Sequence, residues 1–270
     1  MHIGRRILMS LLFAFGAQAL PANATFVFTP TPAPFTFTPA AVGLTGAAVT
    51  ADTILLSDFS NLTFTGATTF SNTGFLSITG LQVGGLNVTA GGLNSTYSLY
   101  FQFIGTGHLT TGTSNTDLRA AATAGVIDTL TYSLIGASGD ATFGFNGLNP
   151  VVTPGGATQT LATGTLLNGN VMTTPVNGNT AFVPSSDAAV AFAVASGKQG
   201  FFSSPIPFYN TASITLTSAA TTVQQFGSGG PGSGFIINGG GDLTVPEPVT
   251  LALIGLALSG LALTRRRKLN

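Results

Sequence analysis

Outside its terminal segments the chain holds one histidine, His108, set in Gly105-Thr106-Gly107-His108-Leu109. General-base chemistry needs a proton donor within hydrogen-bond reach and a group to orient the imidazole. No spacing around His108 announces either, so it reads as a turn residue or a satisfied strand residue. Seven aspartates, at positions 52, 58, 117, 128, 140, 187 and 242, are the other titratable candidates. Glycoside hydrolysis canonically needs a facing carboxylate pair, but none of these lies in an aromatic-rich stretch, and tryptophan is absent. No D-x-[DN]-x-[DN]-G calcium loop occurs. Asp52 with Asp58, or Asp117 with Asp128, are the pairs that could ligate a cation, yet aspartate favours turns on its own account and solvated turn positions are the plainer reading. There is no G-x-S-x-G nucleophile elbow. There is also no cysteine, hence no thiolate nucleophile, disulfide or cysteine-held metal. The expectation is a protein that is not an enzyme, with no catalytic residue, metal or cofactor. A secreted hydrolase built on a spatial aspartate constellation remains an alternative.

The residues with readable chemistry lie at the two ends, where other proteins act on them. Arg5 and Arg6 precede an apolar run over 7–20, and Ala22-Asn23-Ala24 forms an A-x-A cleavage site before Thr25. This is a secretory signal peptide, 1–24, which makes signal peptidase and the export machinery the first partners. At the other end Val245-Pro246-Glu247-Pro248 precedes an uncharged apolar run over 249–264, followed by Arg265, Arg266, Arg267 and Lys268. As a helix that run is roughly 24 Å long, a little short of the ~30 Å hydrocarbon core but tolerable with snorkelling cations. The basic cluster holds the end in the cytoplasm. The two prolines fix φ, remove two backbone donors and keep the segment extended, as a groove-binding substrate must be. Glu247 is the sole glutamate in the chain and is a natural recognition handle.

This order resembles the PEP-CTERM sorting signal. The resemblance implies a substrate of an exosortase, a membrane-embedded transpeptidase-like enzyme that processes the tail near Pro-Glu-Pro. It also implies a Gram-negative source that makes exopolysaccharide. The protein would be anchored transiently in the inner membrane by its C-terminal helix, then placed on the cell surface or in the extracellular matrix. In general style the chain resembles flocculation-associated members. The resemblance covers 245–270 and concerns trafficking rather than the body.

Charged residues make up only 6% of the chain, against a common ~25%. Between the two end segments just Arg119 and Lys198 face the seven aspartates. A mildly acidic body lacks the basic footprint that phosphate binding needs, so no nucleic-acid partner is expected.

The body reads as strands. Tyr97, Leu99, Phe101 and Phe103 alternate with polar or smaller neighbours, as do Leu130, Tyr132 and Leu134, and Ile214 and Leu216. Period two, with threonine on the other face, marks half-buried strands. Further strands are predicted over 53–58, 61–65, 74–79, 141–145, 158–167, 188–195, 221–226 and 234–238. Asn168-Gly169 and Asn177-Gly178 read as hairpin turns. Residues 116–124 are the best helix candidate. The Asn-x-Ser/Thr matches at Asn61, Asn87 and Asn94 read as exposed turn asparagines. Phe26-Val27-Phe28-Thr29-Pro30 recurs as Phe35-Thr36-Phe37-Thr38-Pro39, which fits two paired edge segments or a proline-rich arm.

The expected fold is all-β, an antiparallel β-sandwich of many short strands, plus one C-terminal transmembrane-like helix. The domains are 1–24 signal peptide, 25–226 sandwich, 227–244 a Gly-rich linker with room for a last edge strand, and 245–270 the sorting signal. The expected function is that of an exported, non-enzymatic surface or matrix protein that contributes to biofilm or floc structure or adhesion, touching exopolysaccharide or sister copies. The alternative is a carbohydrate-binding module with Tyr97, Tyr100, Tyr132 or Tyr209 as an aromatic platform.

Overall fold

The computed structural model describes residues 33–111, 123–176, 181–204, 212–217, 223–227 and 230–244. The signal peptide, most of the candidate helix over 116–124, Tyr209 and the sorting tail fall outside the described residues. Thr123 and Ala124, the end of that candidate helix, begin a strand instead.

Among the described residues fifteen strands and two 3-10 turns follow one another, and the pairing is antiparallel throughout the sheets, as the alternation predicts. Eight strands carry the fold: β3 (Thr53–Phe64), β4 (Thr69–Val83), β6 (Tyr97–Leu109), β7 (Thr123–Ser138), β10 (Thr158–Val176), β11 (Ala181–Val194), β13 (Ala212–Thr217) and β15 (Gly234–Thr244). Each pairs with the one before it in this order. β15 then pairs with β3 along its whole length, from Gly234↔Thr63 to Thr244↔Thr53. The sheet therefore returns to its start. It faces itself across a core as two sandwich layers would, with the layers joined on both sides in an up-and-down ring.

Four smaller pieces hang on this ring. β5 (Leu86–Val88) extends β4, and β14 (Val223–Phe226) lies along the first half of β15. β8 (Thr142–Asn146) and β9 (Asn149–Thr153) form a separate hairpin. β1 (Phe35–Phe37), β2 (Val49–Ala51) and β12 (Phe202–Ser204) make a three-stranded sheet with β1 in the middle. β1 has a partner on both sides; the copy at 26–30 lies outside the described residues.

The strands are longer than their sequence signals. The predicted 53–58 and 61–65 are one strand, and 158–167 continues to Val176. Asn168-Gly169 is not a hairpin turn. A register shift between Leu166 and Asn168 absorbs the irregularity, and neither residue takes the positive φ that a two-residue turn requires. Asn177-Gly178 lies outside the described residues; the strands on either side of it are antiparallel, with Val176 paired to Ala181. The linker expectation for 227–244 is corrected most sharply. Gly239, Gly240 and Gly241 belong to an interior strand with partners on both sides, β3 on one and β13 on the other. Asn61 is likewise no exposed turn residue: it is buried in β3 and its Nδ2 donates to Leu148 O at 2.5 Å.

Side chains pointing inward fill the ring. Toward the Thr53 end lie Ile54, Leu56, Leu76, Ile78, Leu99, Phe101, Leu134 and Leu161, continuous with Phe35, Phe37, Phe201 and Phe202 of the small sheet and its neighbouring turn. The four phenylalanines stack edge to face or in parallel, with centroids 4.8–5.7 Å apart. A second cluster, Phe64, Phe70, Leu109, Phe235 and Ile237, fills the other end. On the outer wall Phe59, Phe75 and Tyr100 are covered by Phe143 of the β8–β9 hairpin.

Close approach sets which glycines are needed. Tyr132 lies across Gly164, its cross-strand neighbour, and its hydroxyl donates to Ala191 O. A methyl at Gly164 would sit 1.9 Å from Ala191 O and 2.1 Å from the Tyr132 hydroxyl. Gly164→Ala should therefore cost about 3 kcal/mol or more in urea unfolding. Gly144→Ala, whose methyl meets nothing within 4 Å, should shift stability by less than about 0.5 kcal/mol in the same measurement.

Candidate functional site

Paired residues on neighbouring antiparallel strands point to the same side of the sheet. Following that register inward from the two apolar ends gives a belt of polar and very small residues between them. β3 contributes Asp58 and Ser60, β4 Asn72 and Gly74, β6 Gly105 and Gly107, and β15 Gly239 and Gly241. Asp58 is only 5% exposed. Ser60 Oγ donates to its Oδ2 at 3.1 Å, while Oδ1 has no protein partner. Asn72 Oδ1 is also unpaired. Beside the belt is a cavity of about 50 Å³, lined by Asn72, Leu76, Phe101, Phe103, Tyr132 and Ser186 among others. A water needs roughly 10–15 Å³ on this measure, so the space holds a few waters.

Burial raises the Asp58 carboxyl from 3.8 to about 7, and the Ser60 hydroxyl opposes only part of that shift. Burial also raises the phenols of Tyr132, Tyr97 and Tyr100, which therefore remain protonated. For Asp58 the folded state holds its proton more tightly than the unfolded state. Its contribution to stability is full below pH 3.8 and is lost as pH rises to about 7. The total loss is on the order of 4 kcal/mol. Asp58→Asn keeps the shape and removes the ionisation. It should match the parent near pH 4 and be the more stable protein at pH 8, measured as the urea midpoint at each pH.

The ring brings together one pair that sequence spacing did not show. His108 on β6 and Asp128 on β7 meet on the outer wall, with Nδ1 2.9 and 3.0 Å from the two carboxylate oxygens. Their signal was hidden because strand register, with a shift between Thr106 and Gly107, decides who faces whom. Next to them the Thr106 and Thr129 hydroxyls bond to each other at 2.7 Å. Both members of this hydrogen-bonded pair are substantially exposed. His108→Ala or Asp128→Asn should accordingly change unfolding free energy by less than about 1 kcal/mol.

The other candidates are dispersed. Asp52 accepts from the Gly84 amide at 2.6 Å and the Thr53 hydroxyl at 2.9 Å, whereas Asp58 is bound to Ser60 inside the ring, so the two do not form a ligand pair. Asp117 lies outside the described residues, which leaves Asp128 with His108. Asp58, Asp128, Asp187 and Asp242 are strand residues and not turn residues. Among the described residues no three His, Asp or Glu side chains are grouped to hold a metal. The aromatic platform is also corrected: Tyr97, Tyr100 and Tyr132 are all buried, because their strand positions face the core or the β8–β9 hairpin.

The two processing signals occupy sequence outside the described residues: Ala22, Ala24 and Thr25 at the start, and Val245, Pro246, Glu247, Pro248 and the basic Arg265, Arg266, Arg267 and Lys268 at the end. The residue that leads into the tail is described. Thr244 pairs with Thr53 on one side and Ser213 on the other, so no spacer separates the folded ring from the Val-Pro-Glu-Pro segment. Among the described residues no helix is long and apolar enough to cross a membrane.

Residues 244–268 match the family described as the PEP-CTERM protein-sorting motif. No curated protein and no solved structure matches the chain. The tail is thus a PEP-CTERM sorting domain. It makes the chain an exported protein, attached transiently to the membrane through its C-terminus and processed there by an exosortase.

Proposed function

We propose that this protein is a non-enzymatic surface or matrix component of a Gram-negative bacterium, which strengthens biofilm or floc by packing against exopolysaccharide or sister copies. The observation that carries this reading is the sorting motif at 244–268, joined directly to the last strand of the ring. Several features support it. The exposed surface offers paired hydroxyls, Thr36 with Thr50 on the small sheet and Thr106 with Thr129 on the outer wall. Such a surface hydrogen-bonds to sugars and to itself, and its low charge lets neighbours approach without repulsion. With Tyr97, Tyr100 and Tyr132 buried, contact with polysaccharide would use the threonine-rich wall in place of a tyrosine platform.

Deleting 246–270 leaves the ring strands whole. The truncated protein should fold, leave the membrane fraction and appear in the medium, and the cells should settle more slowly than the parent strain. Normal settling with the truncated protein found entirely in the medium would remove the matrix role while leaving the sorting signal intact.

A further inference from the structure

The tail leaves from a definite place on the ring, and an apolar hairpin sits beside it. Thr244 pairs with Thr53, and Thr53 pairs with Gln82 on β4. Two strand spacings, roughly 10 Å, therefore separate the exit point from the end of β4. There the chain turns through Gly84 and Gly85, both at positive φ (57° and 79°), so that Val83 faces Leu86 across a two-residue turn. Asp52 fixes this turn by accepting the Gly84 amide. Val83 is 42% exposed and Leu86 75%, the highest value among the exposed large apolar side chains described. A hairpin tip that shows two apolar side chains, with its nearest carboxylate bound back to its own backbone, is suited to a lipid surface.

The sequence outside the described residues sets how far that surface can be. Only Val245, Pro246, Glu247 and Pro248 separate Thr244 from the apolar run that begins at Val249. Fully extended, the chain from Thr244 to Val249 reaches at most about 18 Å. The headgroup layer over which it must pass is itself roughly 5–8 Å deep. Once the run is in the bilayer, the rim carrying Thr53 and Thr244 has little room to stand away from it.

We infer that the β4–β5 hairpin tip, Val83 to Leu86, is a membrane-contact element that seats this rim of the ring in the lipid headgroup layer while the sorting tail awaits processing. This rests on the membrane attachment of the tail. It orients the ring with the 53/82/244 rim toward the bilayer and the opposite rim, at the β3–β4 turn near Ala67, toward water. The exosortase then meets Pro-Glu-Pro in the gap between rim and bilayer.

The cysteine-free chain allows a direct test. The full chain is produced in a bacterium that lacks an exosortase, so that the tail stays uncut, and is collected in inner-membrane vesicles. Single variants Leu86→Cys, Ala67→Cys and Leu256→Cys each carry a small environment-sensitive fluorophore. Quenching by a lipid-borne nitroxide is compared with quenching by aqueous iodide. The expected result is lipid quenching at 256 and 86, with position 67 several-fold more open to iodide than position 86. If 256 reports lipid while 86 is as open to iodide as 67, the hairpin contact is overturned and the anchor stands. Equal lipid quenching at 86 and 67 overturns the orientation. Should 256 itself be aqueous, the membrane attachment beneath the whole inference is lost.

Discussion

Everything in this structure depends on β15 accepting partners on both of its edges. On one side it bonds to β3 from Gly234 to Thr244, and on the other β14 and then β13 complete its second edge. A sheet of long antiparallel strands left open here would expose two rows of unpaired amides and carbonyls, which invite pairing with other chains. Closure satisfies them within the molecule. An exported protein without disulfides has few other means of stabilisation, so backbone pairing and apolar burial must hold it together.

Closure in turn decides what the interior can be. The wall is continuous, so its inward side chains pack on one another and, at the Thr53 end, on the phenylalanines of the small sheet and its neighbouring turn. The two apolar clusters fill the ends, and the belt of Asp58, Ser60, Asn72 and inward glycines lies between them. Tyr132 over Gly164 and Phe70 over Gly107 show large rings occupying the space that glycines leave. Asp58 is the unfavourable element. It has one hydroxyl donor and an unpaired oxygen, and this lack of donors in a desolvated place is why its proton is held so tightly.

The same topology links the ring to its destination. The last ring strand leads directly into the sorting motif, so the folded body and the processed tail share one strand end. The hydrogen-bonded pair of His108 and Asp128 and the covered Phe59, Phe75 and Tyr100 are features of the outer wall, fixed by register and by the β8–β9 hairpin.

Alternation at Tyr97 to Phe103 and at Leu130 to Leu134 was legible in the sequence as strand, because period two is a local property of the chain. The tail was legible for a similar reason: proline rigidity, an apolar run and a cationic stop act in linear order, as their processing enzyme reads them. By itself the sequence determined the antiparallel β class and the sorting signal. Only tertiary structure decided that Gly239, Gly240 and Gly241 form an interior strand and not a linker. Glycine composition reports flexibility, while their partners Asp58, Ser57 and Leu56 lie far away along the chain. It also decided that Asp58 is buried, that Tyr97, Tyr100 and Tyr132 are unavailable to a ligand, and that His108 meets Asp128. Each of these follows from which strand lies beside which, a long-range choice that stays undetermined until the ring closes.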